Sequence, residues 1–314
     1  MKKQKYYHPK FFPAWILIGL MKLGAKLPFK VQVFLGRLMG KVLYHTLTHL
    51  RGVAFSNIAG CFPDKTAEQV KTLVKQHFEA IGISAFETAN AYFASNQKIA
   101  PLLNIQNEHY FTDAKAQGKS VILLAAHFMP LMLGSRALLL KHQIANIYRP
   151  QNNRLFDQVM HDGFADNGAV MIKTKDTRSM LKAIKNALPI WYAPDQDLGK
   201  HNSVFAPFFN IQTATVSATA RLAKGDNTVV IPYFFIRTEH GYDMVFEPAL
   251  EHYPNQDEIL SATQTNQILE QQILRAPEQY LWIHKRFKTR PPGDAPFYWF
   301  FIENKTWKVK QFSV

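Results

Sequence analysis

Residues 125–130 read Ala-Ala-His-Phe-Met-Pro, and His127 directly follows the unbroken apolar run Val-Ile-Leu-Leu at 121–124. An apolar run of that length suits a strand buried on both faces of a parallel sheet. A His at its end sits at the carboxyl edge of the sheet, where open α/β sheets place their ligands. An imidazole there can take or give a proton near neutral pH. The same residue is equally at home as a helix cap or a core histidine.

Four further segments carry polar residues at loop positions. Tyr148-Arg149-Pro150-Gln151-Asn152-Asn153 follows the next predicted strand, and Trp191-Tyr192-Ala193-Pro194-Asp195-Gln196-Asp197-Leu198-Gly199 a later one. Residues 203–209 read Ser-Val-Phe-Ala-Pro-Phe-Phe, and 276–291 read Ala-Pro-Glu-Gln-Tyr-Leu-Trp-Ile-His-Lys-Arg-Phe-Lys-Thr-Arg-Pro. Arg149, Asn152 and Asn153 suit an anionic ligand or simply fix their loop. Asp195 and Asp197 suit backbone N–H groups in a tight loop, or catalysis. His284, Lys285, Arg286, Lys288 and Arg290 form a basic cluster, read either as an anion-binding surface or as a solvated face.

The elements that must position these residues follow from periodicity. Helices are predicted over residues 66–93, with Thr66 as N-cap, and over 131–140, 154–167, 177–188, 213–222 and 258–275. Strands are predicted over residues 119–126, 144–148, 170–172, 189–193, 228–236 and 242–247. Strands alternating with helices predict an α/β sheet with crossover connections.

The chain has 314 residues, 37 Lys plus Arg against 23 Asp plus Glu, a net charge of +14, 47 % apolar residues and 24 Phe. That composition excludes a disordered chain. The slightly negative mean hydropathy argues against a polytopic membrane protein. One cysteine, Cys61, excludes an intramolecular disulfide and fits a reducing compartment. The charge leaves nucleic acid or an anionic membrane surface as partners, and no nucleic-acid-binding signature is present.

Lys2, Lys3, Lys5 and Lys10 precede an uncharged run of 11 residues, 11–21, that contains Pro13. It is too short to span a bilayer, which needs roughly 20 apolar residues. Residues 11–44 therefore read as one or two amphipathic helices lying on a membrane, or packed on the core. Three segments result: membrane-associated helices over 1–50, the α/β body over 51–296, and an aromatic and basic tail over 297–314, read as a hairpin or an apolar tail.

Together, the 125–130, 148–153, 191–199 and 276–291 segments, with Asn57, Cys61-Phe62-Pro63 and His77-Phe78, resemble the late acyltransferases of bacterial lipid A biosynthesis. The resemblance covers about residues 51–291. It implies a glycerol-phosphate-acyltransferase-like mixed sheet flanked by helices, with N-terminal amphipathic anchoring helices. It implies residence on the cytoplasmic face of the bacterial inner membrane. It implies transfer of a fatty acyl chain from acyl carrier protein to a hydroxyl on an acyl chain of a Kdo-bearing lipid A precursor, with no metal or organic cofactor. It casts His127 as general base on the attacking hydroxyl and expects an acid five positions on to orient the imidazole.

At that position stands Met132, which neither accepts a strong hydrogen bond nor carries charge. Phe164 stands about where the family carries an Arg. Two explanations of Met132 follow. Either the acid is lost from an otherwise intact scaffold, or a distant carboxylate such as Asp195 or Asp197 reaches His127; the expectation is a folded protein whose acyl transfer is strongly reduced or absent. In the family reading, Arg149, Asn152, Asn153, Asp195, Asp197 and Arg286 contact substrate, and Phe205, Phe208, Phe209 and Met129 are candidate walls of an acyl trench. The alternative is a membrane-bound, lipid-binding homologue without catalysis.

Overall fold

The computed structural model describes residues 6, 8–225, 227–298, 301–303 and 306–308. Lys2, Lys3 and Lys5 lie outside these residues. Residues 11–44 form two helices, α1 (Phe12–Gly24) and α2 (Phe29–Thr46), followed by α3 (Thr48–Cys61) and the long α4 (Ala67–Phe93). The predicted start of α4 holds: Thr66 Oγ1 accepts the Gln69 N–H while Gln69 Oε1 accepts the Thr66 N–H, a complete capping box.

The first two helices reverse the usual arrangement of a surface helix. Apart from Ile18, their buried positions are small or polar: Ala14 and Gly24 on α1, and Gln32, Gly36 and Gly40 on α2. Their outward positions are apolar: Phe12, Ile16, Leu20 and Leu23 on α1, and Val31, Phe34, Leu38 and Val42 on α2 are all exposed. Glycines let α2 lie directly on α4. A Cβ on Gly82 would stand 2.0 Å from the Gly36 carbonyl oxygen, and one on Gly40 2.3 Å from that of Phe78. Gln32 and Asn90 exchange two amide hydrogen bonds across the same contact, so the buried polar groups are satisfied. An exposed apolar face of this size marks an interaction surface, and it is consistent with the amphipathic anchoring expected of these helices. Among the described residues no helix is long and apolar enough to cross a membrane.

The body alternates helix and strand. Along the chain come α5 (Asn96–Ile99), β1 (Leu103–Gln106), α6 (His109–Ala116), β2 (Ser120–Leu124), α7 (Leu131–Leu138), β3 (Ala145–Tyr148), α8 (Arg154–Ala165), β4 (Val170–Lys173), α9 (Thr177–Lys185) and β5 (Ile190–Tyr192). After the β6 (Ser203–Phe208) and β7 (Ile211–Val216) pair come α10 (Ala218–Leu222), β8 (Thr228–Arg237), β9 (Tyr242–Phe246) and α11 (Glu258–Arg275). Seven strands make one sheet in the order β1-β9-β8-β2-β5-β3-β4, parallel except between β8 and β9. The result is a mixed α/β sheet flanked by helices on both faces.

Side-chain alternation divides the core. Val121, Leu123, Trp191, Tyr233 and Phe235 face α4, α7 and α8, while Ile122, Leu124, Ala145, Ile172 and Ile190 face α9 and α10. β2 is buried along its whole length, which explains why it lacks polar residues apart from Ser120.

One predicted helix is corrected. Residues 213–222 are not one helix: 211–216 form β7, antiparallel to β6, and only Ala218–Leu222 is helical. Thr213 and Thr215 are buried and pack as strand residues, a fate that suits β-branched side chains. In the tail, β10 (Phe301–Glu303) and β11 (Thr306–Lys308) pair antiparallel. Before them, Tyr298 donates its hydroxyl to Asn57 Oδ1 at 2.7 Å and accepts the Phe287 N–H at 3.0 Å.

Candidate active site

β2 and β5 are neighbours in register, with Leu124 opposite Tyr192. His127 and Asp195 each stand three residues beyond that pair, at the carboxyl edge of the sheet. They meet there. Asp195 Oδ2 accepts the His127 backbone N–H at 3.0 Å, and Asp195 Oδ1 lies 2.6 Å from His127 Nδ1. The turn that carries His127 is clasped from the other side. Met129 donates its backbone N–H to the Gln279 carbonyl at 2.7 Å, and Phe128 bridges Tyr280. The Tyr280 ring is buried, and burial first and then the Asp195 charge push its hydroxyl's pKa well above the usual value.

The electrostatics assign the proton. Burial pushes the Asp195 carboxyl up, but the His127 charge and hydrogen bonds outweigh it, with Arg286 helping, and hold the group below the usual carboxylate range. An ionised carboxylate can only accept, so Nδ1 carries a hydrogen, and in the neutral ring Nε2 keeps its lone pair. Burial pulls the imidazole down, and the Asp195 charge and hydrogen bond more than offset it, so protonation of His127 is favoured. The side chain of His127 is one-quarter exposed while that of Asp195 is buried. This arrangement can serve as a general base backed by an orienting acid.

Asp197 braces the loop. It accepts the Gly199 N–H at 2.8 Å, the Thr289 hydroxyl at 2.9 Å and the Thr289 N–H at 2.7 Å. Its own N–H donates to His284 Nε2 at 3.0 Å, which requires that nitrogen to be unprotonated. Burial lowers the His284 pKa in the same sense. Gly199 has φ = 86°, a left-handed backbone that suits glycine. Asn57 donates to the carbonyls of Trp282 and His284, both at 2.7 Å, and so anchors the segment after the short helical turn Pro277–Gln279 that clasps the His127 turn.

The other residues singled out from the sequence divide. Arg286 is not at a surface: it is buried, donates to the Ala214 carbonyl at 2.6 Å and the Thr215 hydroxyl at 3.1 Å, and lies over the Phe208 ring. It supports the site from beneath. Asn153 caps α8 by accepting the Leu155 and Phe156 N–H groups. Arg149 and Asn152 are exposed on the loop after β3.

Met132 is half-buried and packs with the core cluster that also holds Phe164. Phe164 is fully buried, with its ring edge-on to Tyr92 at 5.8 Å. One helical turn after Met132, the buried Arg136 donates to Asn96 Oδ1, while its Nε and Nη1 have no partner among the described residues.

Phe205, Phe208, Phe209 and Met129 do not line the small apolar pocket behind the His127 turn. Its walls are Ala125, Ala126, Phe128, Leu131, Trp191, Tyr233 and Phe235. A larger groove of about 780 Å³ opens where α2 faces the β8–β9 turn. Phe29, Val33 and Phe34 line one wall, and Arg237, His240 and Gln279 the other. Gln279 is the residue whose carbonyl clasps the His127 turn. Among the described residues no group of three His, Cys, Asp or Glu side chains is placed to hold a metal ion.

Sequence reasoning missed Tyr280 against Asp195 and His77 behind Glu278. His77 is fully buried, with Nδ1 3.0 Å from the Glu278 carbonyl, and burial lowers its pKa to about 4. A buried neutral imidazole on an otherwise apolar helix face is a signal that the pattern at 70–78 carried and periodicity alone did not separate from the core.

Comparison with known proteins gives a consistent answer. The family described as bacterial lipid A biosynthesis acyltransferase matches residues 1–289. The chain is 33 % identical over 298 residues to the lipid A biosynthesis palmitoleoyltransferase of Escherichia coli K12, covering 94 % of this chain and 97 % of that protein. It is 32 % identical over 289 residues to the lauroyltransferase of the same organism, covering 91 % and 94 %. It is 25 % identical over 303 residues to the myristoyltransferase, covering 94 % and 93 %.

Proposed function

Because the chain belongs to the bacterial lipid A biosynthesis acyltransferase family, we propose that it moves a fatty acyl chain from the thioester of acyl carrier protein to a hydroxyl on an acyl chain of a Kdo-bearing lipid A precursor. The observation that carries this reading is the double hydrogen bond between Asp195 and His127. An alcohol has a pKa far above neutral and needs a base at the moment of attack. His127 Nε2 takes the hydroxyl proton as the oxygen attacks the thioester carbonyl carbon. Asp195 stabilises the imidazolium that forms. As the tetrahedral intermediate collapses, the C–S bond breaks and the imidazolium returns its proton to the departing thiolate. The ester and a free thiol are the products.

The impairment argued from Met132 assumed that position 132 orients His127. With Asp195 at Nδ1, transfer proceeds without an acid at 132. The exposed apolar faces of α1 and α2 support work at a membrane, with the inner membrane's cytoplasmic face as the proposed site. The test is transfer from an acyl carrier protein thioester to tetra- or penta-acylated Kdo-lipid A, with wild type beside His127→Ala. Transfer by wild type that disappears in the variant supports the reading.

A second reading is a lipid-binding homologue without catalysis. The Arg136 guanidinium, one turn from Met132, favours it: Nη2 donates to Asn96, but Nε and Nη1 have no partner among the described residues. In that case the same assay gives no product while vesicle binding persists.

A further inference from the structure

The mechanism leaves one charged surface unused. On α9, Arg178, Leu181, Lys182 and Lys185 fall at positions i, i+3, i+4 and i+7, so they share one face. All four are exposed, and Leu181 is 52 % accessible. Lys173 at the end of β4 and Lys175 after it extend the stripe. None of these five cations forms an ion pair among the described residues. The single acid among them, Asp176, is engaged by the Ser179 N–H at 3.0 Å and the Ser179 hydroxyl at 2.7 Å.

Two placements say what covers this face. First, β4 runs parallel to β3, β5 and β2, so Lys173, Lys175 and the start of α9 lie at the carboxyl edge of the sheet that also carries His127. Second, α9 buries Met180 and Ala183 on the sheet face opposite the one that packs against α4. The apolar helices α1 and α2 sit on α4. The basic face is therefore separated by the sheet from the lipid-facing helices, and its occupant comes from solution.

We infer that the α9 face, with Lys173 and Lys175, is the docking surface for the acidic carrier protein that presents the acyl thioester. This rests on the acyl-transfer reading above. Five unpaired cations around one exposed leucine complement an acidic helix with a small apolar contact. Such complementarity sets association rate and specificity. A carrier seated there extends its thioester along the carboxyl edge toward His127.

The experiment uses the full chain and the triple variant Arg178→Glu/Lys182→Glu/Lys185→Glu, whose substituted side chains are exposed. Direct binding of fluorescently labelled acyl carrier protein is read by anisotropy at two salt concentrations. Transfer is measured in parallel from acyl carrier protein and from a small soluble acyl thioester. Expected are a Kd and a KM for the carrier raised at least tenfold, a flattened salt dependence, and unchanged rates with the small donor. Reversal of Lys71 and Lys75 on α4, with Lys65 just before it, leaves carrier binding within twofold. No carrier binding by wild type, or equal binding by wild type and the triple variant, overturns the inference. Loss of binding to anionic vesicles in the triple variant, with carrier binding intact, overturns it in favour of a lipid surface. Charge-dependent carrier binding without turnover from either donor leaves the docking surface standing and removes the catalytic reading instead.

Discussion

Asp195 grips His127 at two points, one carboxylate oxygen on the backbone N–H at 3.0 Å and the other 2.6 Å from Nδ1. A single side chain thus fixes the position of the residue, the orientation of its ring and its tautomer. The strands deliver this pair, because β2 and β5 are in register and each loop leaves its strand by the same number of residues.

Removing the carboxylate while keeping its shape separates these roles. Asp195→Asn is expected to lower kcat by roughly 10⁴-fold, as loss of an orienting acid does elsewhere, with thermal stability measured alongside to confirm folding. The base works unprotonated, so activity rises as pH passes the His127 pKa. Asp195 favours protonation of His127, so the acid limb of the pH–rate profile of the Asn variant shifts to lower pH. An unshifted limb with full activity would show that another group governs the ring.

Met132→Glu distinguishes the two accounts of position 132. With Asp195 as the partner of His127, the substitution changes kcat less than tenfold, and Met132→Glu/Asp195→Asn is as slow as Asp195→Asn alone. Acceleration of Met132→Glu by more than 100-fold would instead establish that the natural chain is impaired at this position. The new carboxylate stands one turn from Arg136, whose Nε and Nη1 are open. A double-mutant cycle with Arg136→Met therefore reports a favourable coupling, of about 0.5–3 kcal/mol for residues in contact.

The α2–α4 contact tolerates no added side chain. Gly82→Val places atoms inside the Gly36 and Gly40 backbone. Overpacking of this kind costs about 1–3 kcal/mol or more. The expected result is a lower melting temperature and faster protease cleavage in the α1–α2 connection, both measurable in detergent.

Acid should weaken the strap behind the site. The buried imidazole of His77 titrates at about 4 in the folded chain against 6.5 when free. Between these values the unfolded chain holds a proton that the folded chain lacks, so stability is full above pH 6.5 and declines as pH falls toward 4. The loss approaches about 3 kcal/mol at most. His77→Asn, which keeps a donor toward the Glu278 carbonyl, is expected to flatten the fall in melting temperature over that interval.

Charging the exposed faces of the first two helices tests their contact with lipid. Ile16→Glu/Leu20→Glu is expected to reduce sedimentation with anionic vesicles at least tenfold while leaving transfer from and to water-soluble short-chain analogues within twofold. Unchanged sedimentation would rule out α1 as the anchor.

Much of the fold was legible because local signals agreed with long-range packing. Val121–Leu124 has no polar residue and lies in the middle of the sheet, and Thr66 with Gln69 forms the cap that its spacing suggests. The β6–β7 pair was not legible. Its turn places Phe209 and Asn210 at φ of 47° and 61°, without the glycine that usually marks such a hairpin. Short β1 is half-buried at the sheet edge and offers little pattern. In the site, His127 stood out because it follows an apolar strand. Its partner was one of two open candidates, because spacing along a helix says nothing about which residue a neighbouring strand brings alongside. Arg286 was misplaced for a related reason: a basic run reads as surface, whereas the chain turns this guanidinium inward to carbonyl and hydroxyl oxygens.

The strand order has a bearing on how the chain acquires activity during synthesis. β2 and β3 follow one another in sequence but are separated in the sheet by β5. The slot between them stays vacant until the ribosome has released residues 190–192, and the acid that completes the dyad arrives on the same segment. Pairing across 68 residues carries a large loop-closure cost and slows folding. A nascent chain ending before β5 therefore leaves the facing edges of β2 and β3 unpaired and has no assembled dyad, so activity cannot begin before β5 is inserted.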